Sequence, residues 1–154
     1  MNNTPYICKR IYIFLVTFEV MFKHKTHVRV RYSETDKMGY CYYGNYAQFF
    51  EIGRVEALRE LGFPYKELED EGIMLPVSDF SVKYFKPALY DDELTIITTI
   101  KSLSAFKIIF FYEIFNKDED LLTTAETTLV FVDSKTMKPI KHPKEMSEKL
   151  NKYI

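Results

Sequence analysis

The clearest periodic pattern in the chain is an amphipathic segment that begins at Tyr46. Apolar or small residues recur there at 3.6-residue spacing on one face: Tyr46, Phe49, Phe50, Gly53, Ala57 and Leu61. We predict a helix from Tyr46 to about Leu61, ended by Gly62 and Pro64. A glycine inside a helix costs up to ~1 kcal/mol relative to alanine, which is tolerable where the helix must approach a sheet closely.

Alternating patterns on both sides of this segment predict strands. Before the helix, the run from His27 places the apolar side chains of Val28, Val30 and Tyr32 on one face. Arg29 and Arg31 then face the other way, either as ligand or subunit contacts or as solvated charges. After the helix, turn residues separate four strand-like runs: 76–86, 92–102, 105–116 and 121–133.

One strand, one long helix and four antiparallel strands predict an α+β domain with a helix packed on a single sheet. Runs 92–102 and 105–116 carry apolar residues on both faces. Because one helix can cover only one face, we expect the other to meet a second subunit or a loop. The segment 64–72 is predicted to be a short acidic helix or loop, and the tail 142–153 a short helix with a solvated basic face.

The first 22 residues stand apart from this pattern. They contain an apolar run that Glu19 interrupts and that is too short to span a membrane, and no small-x-small cleavage site follows it. We expect residues 1–22 to be an N-terminal extension that either precedes a true start at Met21 or is poorly ordered. An extra packed strand and an export signal are the alternatives. A single domain is expected over 23–154.

Composition restricts the function classes. The 21 basic and 22 acidic residues nearly cancel, so nucleic acid and stable membrane insertion are not expected as partners, and an anionic ligand needs a local patch. Twelve Tyr and 13 Phe without Trp suit either a β-rich core or a pocket for an acyl or aryl group. Cys8 and Cys41 have no metal-like spacing, which favours a reducing, cytoplasmic compartment. We find no sequence pattern for a metal or cofactor site.

The candidate chemistry lies between the first strand and the helix. Asp36, in a glycine-containing loop, is a candidate nucleophile or general base. Asn45 is a favourable N-cap and Gln48 can complete a capping box, so the first helix amides can polarise a carbonyl. The alternative is that Asp36 only closes an Asx turn before Met38.

The run YSETDKMGYCYYGNYAQFFEIGRVE resembles the signature of the 4-hydroxybenzoyl-CoA thioesterase family of hotdog-fold acyl-CoA thioester hydrolases. Asp36 matches the family's catalytic Asp, Gly39 its loop glycine, and Tyr43 a position that holds His or Tyr near the thioester carbonyl. Further matches are the Asn-Tyr pair and charged helix positions: Asn45, Tyr46, Glu51, Arg54 and Glu56. Two weaker matches follow, in VSDFSVKYFKPALYDDELTI and FVDSKTMKPIKHP, so the resemblance covers about residues 27–145.

The resemblance implies a hotdog fold, with a long central helix on a curved antiparallel β-sheet. It also implies hydrolysis of an acyl-CoA or acyl-carrier-protein thioester to free acid and thiol, with Asp36 as base or nucleophile and helix amides polarising the carbonyl. Hotdog domains pair edge to edge with the active site at the interface, so a homodimer or homotetramer is expected. The alternative is a non-catalytic hotdog module that binds acyl chains or regulates a partner.

Several residues complete the predicted site. The predicted substrate-binding residues are Gly39, Asn45, Tyr46, Glu51, Lys83 and Lys86. The two lysines flank Tyr84-Phe85 and are candidates for the CoA phosphates, or else are exposed lysines on an edge strand. Their spacing puts them on opposite faces of a regular strand unless the backbone bulges. Glu51 is a candidate supporting carboxylate, although a surface ion pair with Arg54 is the simpler interpretation.

Overall fold

The computed structural model describes residues 19–153. Five strands form one antiparallel sheet: β1 (Glu19–Arg29), β3 (Val77–Tyr84), β4 (Glu93–Leu103), β5 (Lys107–Phe115) and β6 (Leu121–Val130). Their order across the sheet is β1-β4-β5-β6-β3. Two short strands, β2 (Ile73–Met74) and β7 (Val132–Asp133), form a separate pair. The interpretation of residues 1–22 as an extension falls mostly outside the described residues.

A single long helix lies on this sheet. Helix α1 (Tyr46–Glu60) packs against β1, β4 and β5, and every residue of its predicted stripe is buried. Helices α2 (Tyr65–Asp70) and α3 (Lys144–Leu150) lie within the two segments predicted to be short helices. The predicted α+β architecture is therefore confirmed, and the four runs after α1 are strands within three residues of their predicted ends.

Gly53 lies at the closest approach of α1 to the sheet. A Cβ atom at this position would be 2.5 Å from Oγ1 of Thr98 and 3.1 Å from Cγ2 of Ile96 on β4. Neither neighbour can move away easily, because both side chains are fully buried. The glycine thus allows the helix to come close enough to bury its aromatic side chains.

The core between helix and sheet is largely aromatic. Phe50 of α1 and Tyr112 of β5 are fully buried, with ring centroids 4.9 Å apart. Apolar side chains on the opposite face of the sheet, such as Ile97 and Phe111, are only half-buried. The two-faced apolar pattern of the central strands is therefore present, with one face packed far more completely than the other.

The prediction that Tyr32 shares one face of the first strand with Val28 and Val30 is wrong. β1 starts earlier and ends at Arg29, and Tyr32 begins a 3₁₀ turn in which it is 79% exposed. The turn forms because Glu34 accepts a hydrogen bond from the Arg31 amide at 2.7 Å. The ring of Tyr32 contacts Tyr90 instead, at a centroid distance of 5.7 Å.

Lys149 ties the C-terminal helix to the end of α1. Its ammonium group donates to the carbonyl of Leu61 at 3.0 Å and lies 4.7 Å from the ring centroid of Phe63. Lys149 is exposed, as predicted for a solvated basic face, but its ammonium also contacts the end of α1. Met146 and Leu150 are buried, and docking of α3 through them brings Lys149 over helix carbonyls that lack intrahelical partners.

We expect Lys149→Met to lower the free energy of unfolding by about 1 kcal/mol. The change removes a cation near a helix C-terminus and above an aromatic ring, but keeps the apolar stem. For a domain of this size the loss corresponds to a fall in Tm of about 2–4 °C in a thermal melt. Lys152→Met is the matched control, because Lys152 is exposed in the same tail. An equal loss in both variants would contradict the assignment.

Candidate active site

The loop that carries Asp36 is a small closed turn. Asp36 donates its amide to the carbonyl of Tyr40 at 2.8 Å and accepts the Gly39 amide on its own carbonyl at 3.0 Å. Gly39 adopts a φ of 79°, a conformation that glycine allows without strain. The Oδ1 atom of Asp36 accepts from the Met38 amide at 2.8 Å, so the Asx turn expected as the alternative is present.

The Asx turn uses only one oxygen of the Asp36 carboxylate. Only Oδ1 is bonded, and Oδ2 has no hydrogen-bond partner within residues 19–153. The side chain lines a cleft of about 300 Å³, together with Met38, Tyr40, Cys41, Tyr43, Tyr46, Tyr84, Phe85, Lys86 and Pro87. Five of these side chains are aromatic. A carboxylate with one oxygen free of hydrogen bonds from the described residues therefore belongs to the lining of a mostly apolar cavity.

Hydrogen bonds and ring contacts hold the cleft walls together. Tyr46 is buried, its hydroxyl accepts the Ala88 amide at 3.4 Å, and its ring lies 5.2 Å from that of Tyr84. The Tyr84 hydroxyl donates to the Tyr43 carbonyl at 3.0 Å. Burial raises the pKa of Tyr46 and of Tyr84, so both phenols stay neutral at pH 7 and act as fixed dipoles.

Asn45 does not cap the helix, contrary to the prediction. Its backbone is already helical, with φ of −72° and ψ of −22°, and its side chain makes no capping bond. The side-chain amide donates instead to the Glu34 carbonyl at 2.7 Å, which fastens the helix start to the Asp36 loop. A 3₁₀ turn, Tyr43–Asn45, runs directly into α1. The first amides of this helical segment are therefore those of Tyr43 and Gly44.

Cys41 also lines the cleft but is not a suitable nucleophile. It is 5% exposed, and burial together with the nearby Glu34 carboxylate raises the pKa of its thiol to about 11. The reactive form of cysteine is the thiolate. At neutral pH the side chain is thus an apolar part of the cleft floor.

The two lysines considered for phosphate binding lie in different environments. Lys86 lines the cleft, and its ammonium is 2.6 Å from Oδ1 of Asp120. This hydrogen bond holds the pKa of the Asp120 carboxyl below its ordinary value. Lys83 alternates with Tyr84 and faces the other side of β3, so the structure does not bring it to the cleft. Arg29 pairs with Glu93 at 2.6 Å.

Glu51 lies in a second cleft, between α1 and β3. This cleft has a volume of about 190 Å³ and is lined by Ala47, Gln48, Glu51, Arg54, Val77, Phe80 and Thr127. The expected ion pair between Glu51 and Arg54 does not form. Arg54 turns towards α2, where its Nε donates to the Tyr65 hydroxyl at 3.3 Å.

Sequence reasoning assigned no role to several residues of the first cleft. Tyr84 and Phe85 were noted only as the pair between two lysines, and Tyr40 and Met38 only as loop residues. The available signal was the alternation of β3, which puts Tyr84 on the helix face at the point where the strand ends before Pro87. Sheet topology brings Tyr84 and Phe85 to the cleft that Asp36 lines, and local patterns do not specify that topology.

No group of three His, Cys, Asp or Glu side chains within residues 19–153 is close enough to hold a metal ion. No helix in the same part of the chain is both long and apolar enough to cross a membrane.

Comparisons with known proteins place the chain in a family. Residues 30–150 match the model of the thioesterase-like superfamily. The acyl-CoA thioester hydrolase YbgC of Escherichia coli is 38% identical over 119 residues, which are 77% of this chain and 89% of the relative. The corresponding YbgC thioesterase of Haemophilus influenzae is 32% identical over 120 residues, 77% of this chain and 88% of the relative.

A solved structure agrees with these matches. The DHNA-CoA thioesterase from Staphylococcus aureus superposes with a TM-score of 0.82 at 37% identity, covering 86% of this chain and 91% of that one. The predicted hotdog fold and the predicted class of thioester hydrolase are thereby confirmed. By its sequence over residues 30–150 and by its fold, the chain belongs to the thioesterase-like superfamily.

Proposed function

We propose that this protein hydrolyses acyl-CoA thioesters to the free acid and CoA, with Asp36 as the catalytic carboxylate. The observation that carries the proposal is the free Oδ2 of Asp36 at an aromatic-lined cleft. Tyr43, the first residue of a helical segment, lines the same cleft. The names of the relatives support the substrate class, since two act as acyl-CoA thioesterases and one on DHNA-CoA.

The reaction can follow two routes from this arrangement. Asp36 either attacks the acyl carbon, giving an acyl-aspartyl anhydride that water then hydrolyses, or takes a proton from a water that attacks directly. In both routes the C–S bond breaks and CoA leaves as its thiol. The amides of Tyr43 and Gly44 stabilise the oxyanion, because helix N-terminal amides carry partial positive charge. Transfer of ¹⁸O from labelled water into Asp36 during a single turnover would show an anhydride that water opens at the aspartyl carbonyl, because direct attack by water labels only the released acid.

We assign Tyr43 to the orientation of the thioester carbonyl. Tyr43→Phe is expected to lower kcat by about tenfold, because it removes one hydroxyl donor from the cleft while leaving the ring in place. The rate of thiol release measures the effect, and Tyr90→Phe is the control, since Tyr90 is also exposed but does not line this cleft. If Tm falls together with kcat in Tyr43→Phe, the hydroxyl contributes to packing and not to the orientation of the carbonyl.

Contact with CoA is proposed at the cleft mouth. Lys86 is the lysine that lines the cleft, so we assign the phosphates of CoA to it, in competition with Asp120.

The order of the strands supports a homodimer formed through β3. β3 is an outer strand, and Val77 and Phe80 on it are 46% and 45% exposed, so pairing with a second copy satisfies the free edge and covers both side chains. A cytoplasmic location fits the unpaired thiol of Cys41.

The deciding experiment is an assay of free thiol release from a panel of acyl-CoAs and acyl-carrier proteins. The panel covers short, long, branched and aromatic acyl groups. Release that depends on Asp36 supports the proposal and identifies the acyl group and carrier. Tight binding of an acyl-CoA without release would replace it with a non-catalytic acyl-binding module.

A further inference from the structure

Asn45 and Tyr84 hold the peptide bonds at the start of the first helical segment from two sides. The carbonyl of Tyr42 accepts the backbone amide of Asn45 at 2.9 Å. The carbonyl of Tyr43 accepts the hydroxyl of Tyr84 at 3.0 Å. The N–H groups of the same two peptide units belong to Tyr43 and Gly44, which have no partner inside the helix. Because a peptide unit is planar, a bond that fixes its carbonyl also fixes the direction of its N–H.

The side chain of Asn45 joins this helical start to the loop that carries Asp36. Its Nδ2 atom donates to the Glu34 carbonyl at 2.7 Å, and the same carbonyl accepts the Tyr42 amide at 2.8 Å. Together with the bond from the Asn45 backbone to Tyr42, these bonds form a closed ring. Asp36 follows Glu34 by only two residues. The ring therefore fixes where the loop with the carboxylate lies relative to the two amides.

Asn45 does not itself line the cleft, whereas Asp36, Tyr43 and Tyr84 do. Its side chain is half-buried, and its amide group is used on the Glu34 carbonyl. An effect of this side chain on turnover must therefore pass through the groups that it holds. Such effects can be large, because a displacement of about 1 Å between reacting groups can cost about a hundredfold in rate.

We propose that Asn45 is a positioning residue for thioester hydrolysis, which sets the separation between the Asp36 carboxylate and the two amides that stabilise the oxyanion. Tyr84 has the same role from the side of β3, since its hydroxyl holds the peptide unit between Tyr43 and Gly44. The inference rests on the proposed thioesterase function. It adds that turnover depends on an asparagine outside the cleft and on a hydroxyl bound to the backbone.

The first test is Asn45→Ala, assayed with the acyl-CoA that the wild-type protein hydrolyses fastest. We expect kcat to fall about tenfold to a hundredfold while KM changes less than about threefold, because the lining is intact but the reacting groups are misplaced. Thr35→Val is the matched control. The Thr35 hydroxyl makes a bond of the same kind in the same loop, to the Tyr32 carbonyl at 2.8 Å, but that bond does not reach the helix. Both constants should stay within about threefold in this variant.

A double-mutant cycle separates positioning from a structural role. If Asn45 acts by placing the Asp36 carboxylate, its side chain should lose its importance once that carboxylate is gone. In the Asp36→Asn background, Asn45→Ala should therefore change the residual rate less than about threefold. A variant that only lowers the amount of folded protein would instead lose the same factor in both backgrounds.

Tyr84→Phe tests the second contact and does not depend on whether Asn45→Ala folds. The change removes one hydroxyl and keeps the ring that lies 5.2 Å from that of Tyr46, so the fold should survive. We expect kcat to fall about threefold to tenfold with KM unchanged. A rise in KM with unchanged kcat would show that the hydroxyl binds substrate and does not position an amide.

Two results would overturn the role of Asn45: a kcat within about threefold of the wild type in Asn45→Ala, or an equal loss in the two backgrounds of the cycle. Neither result affects the thioesterase proposal, which depends on hydrolysis by the wild-type protein and on its loss in Asp36→Asn. A wild-type protein that releases no thiol from any acyl-CoA would refute both.

Discussion

Asp36→Asn is expected to lower kcat for thioester hydrolysis by at least ~100-fold, whichever of the two routes the carboxylate follows. Asparagine has nearly the same shape, and its carbonyl oxygen can still accept the Met38 amide that Oδ1 accepts at 2.8 Å. The loop should therefore keep its conformation while it loses the negative charge. Thiol release at saturating acyl-CoA measures the loss, and a thermal melt shows that the fold is unchanged.

The control for this substitution is Asp133→Asn. Asp133 closes a turn of the same kind, in which Oδ1 accepts the amides of Lys135 at 3.1 Å and Thr136 at 2.7 Å, but it does not line the Asp36 cleft. It should leave kcat unchanged. Turnover near the wild-type rate in Asp36→Asn would show that Asp36 serves only the Asx turn and that it is not the catalytic carboxylate.

Gly53→Val is expected to lower the free energy of unfolding by about 3 kcal/mol, the largest effect on stability proposed for this protein. The valine Cβ would meet Oγ1 of Thr98 at 2.5 Å and Cγ2 of Ile96 at 3.1 Å. These atoms belong to fully buried side chains of a central strand, so the helix has to move away from the sheet. Denaturant titration measures the loss.

Two further variants show that the clash is the cause. Gly53→Ala should cost about 1–2 kcal/mol despite the gain in helix propensity, and Thr98→Ala in that background should recover part of it. The hydroxyl of Thr98 is buried without a hydrogen-bond partner, so its removal breaks no bond. Gly44→Ala is the contrast, because its Cβ would meet the ring of Tyr42 at 2.7 Å, but that ring is 45% exposed and can turn away. If Gly53→Ala instead raises the free energy of unfolding, the sheet can shift to make room for the methyl group and the clash is not the cause.

Sequence periodicity predicted the elements that bury large side chains. Helix α1 begins at Tyr46 as predicted because its apolar spacing is helical over four turns, and the helix buries both Phe49 and Phe50. The strands after it followed from alternation and turn residues. These signals are strong because burial of aromatic and aliphatic surface dominates the energetics of the fold.

Predictions that depended on one side chain's choice of partner were less successful. Asn45 is a good N-cap by type, yet a 3₁₀ turn brings the chain into α1 already helical, and Glu34 becomes its partner. Lys149 is exposed as predicted, but tertiary packing also gives its ammonium a partner, the Leu61 carbonyl at the end of α1. Arg54 has Glu51 one turn away but turns towards Tyr65. Local rules rank such partners, and long-range contacts then select among them.

The candidate site shows the same difference between what local sequence patterns predict and what long-range contacts determine. Asp36 was identified from its loop and from the family resemblance, because the carboxylate and its turn are adjacent in sequence. The aromatic wall contributed by Tyr84 and Phe85 lies about 50 residues further on and reaches Asp36 only through the pairing of β3 with β6. No pattern within a short window contains that information.

The two outer strands of the sheet differ in a way that limits assembly. β3 presents Val77 and Phe80, whereas β1 presents exposed Lys23, Lys25 and His27 along one face. In the proposed dimer, two copies joined through β3 would form a sheet of ten strands whose outer edges are both β1, and lysines on an edge oppose further pairing. Assembly through strand pairing would then stop at two copies, because the basic outer edges disfavour the addition of a third.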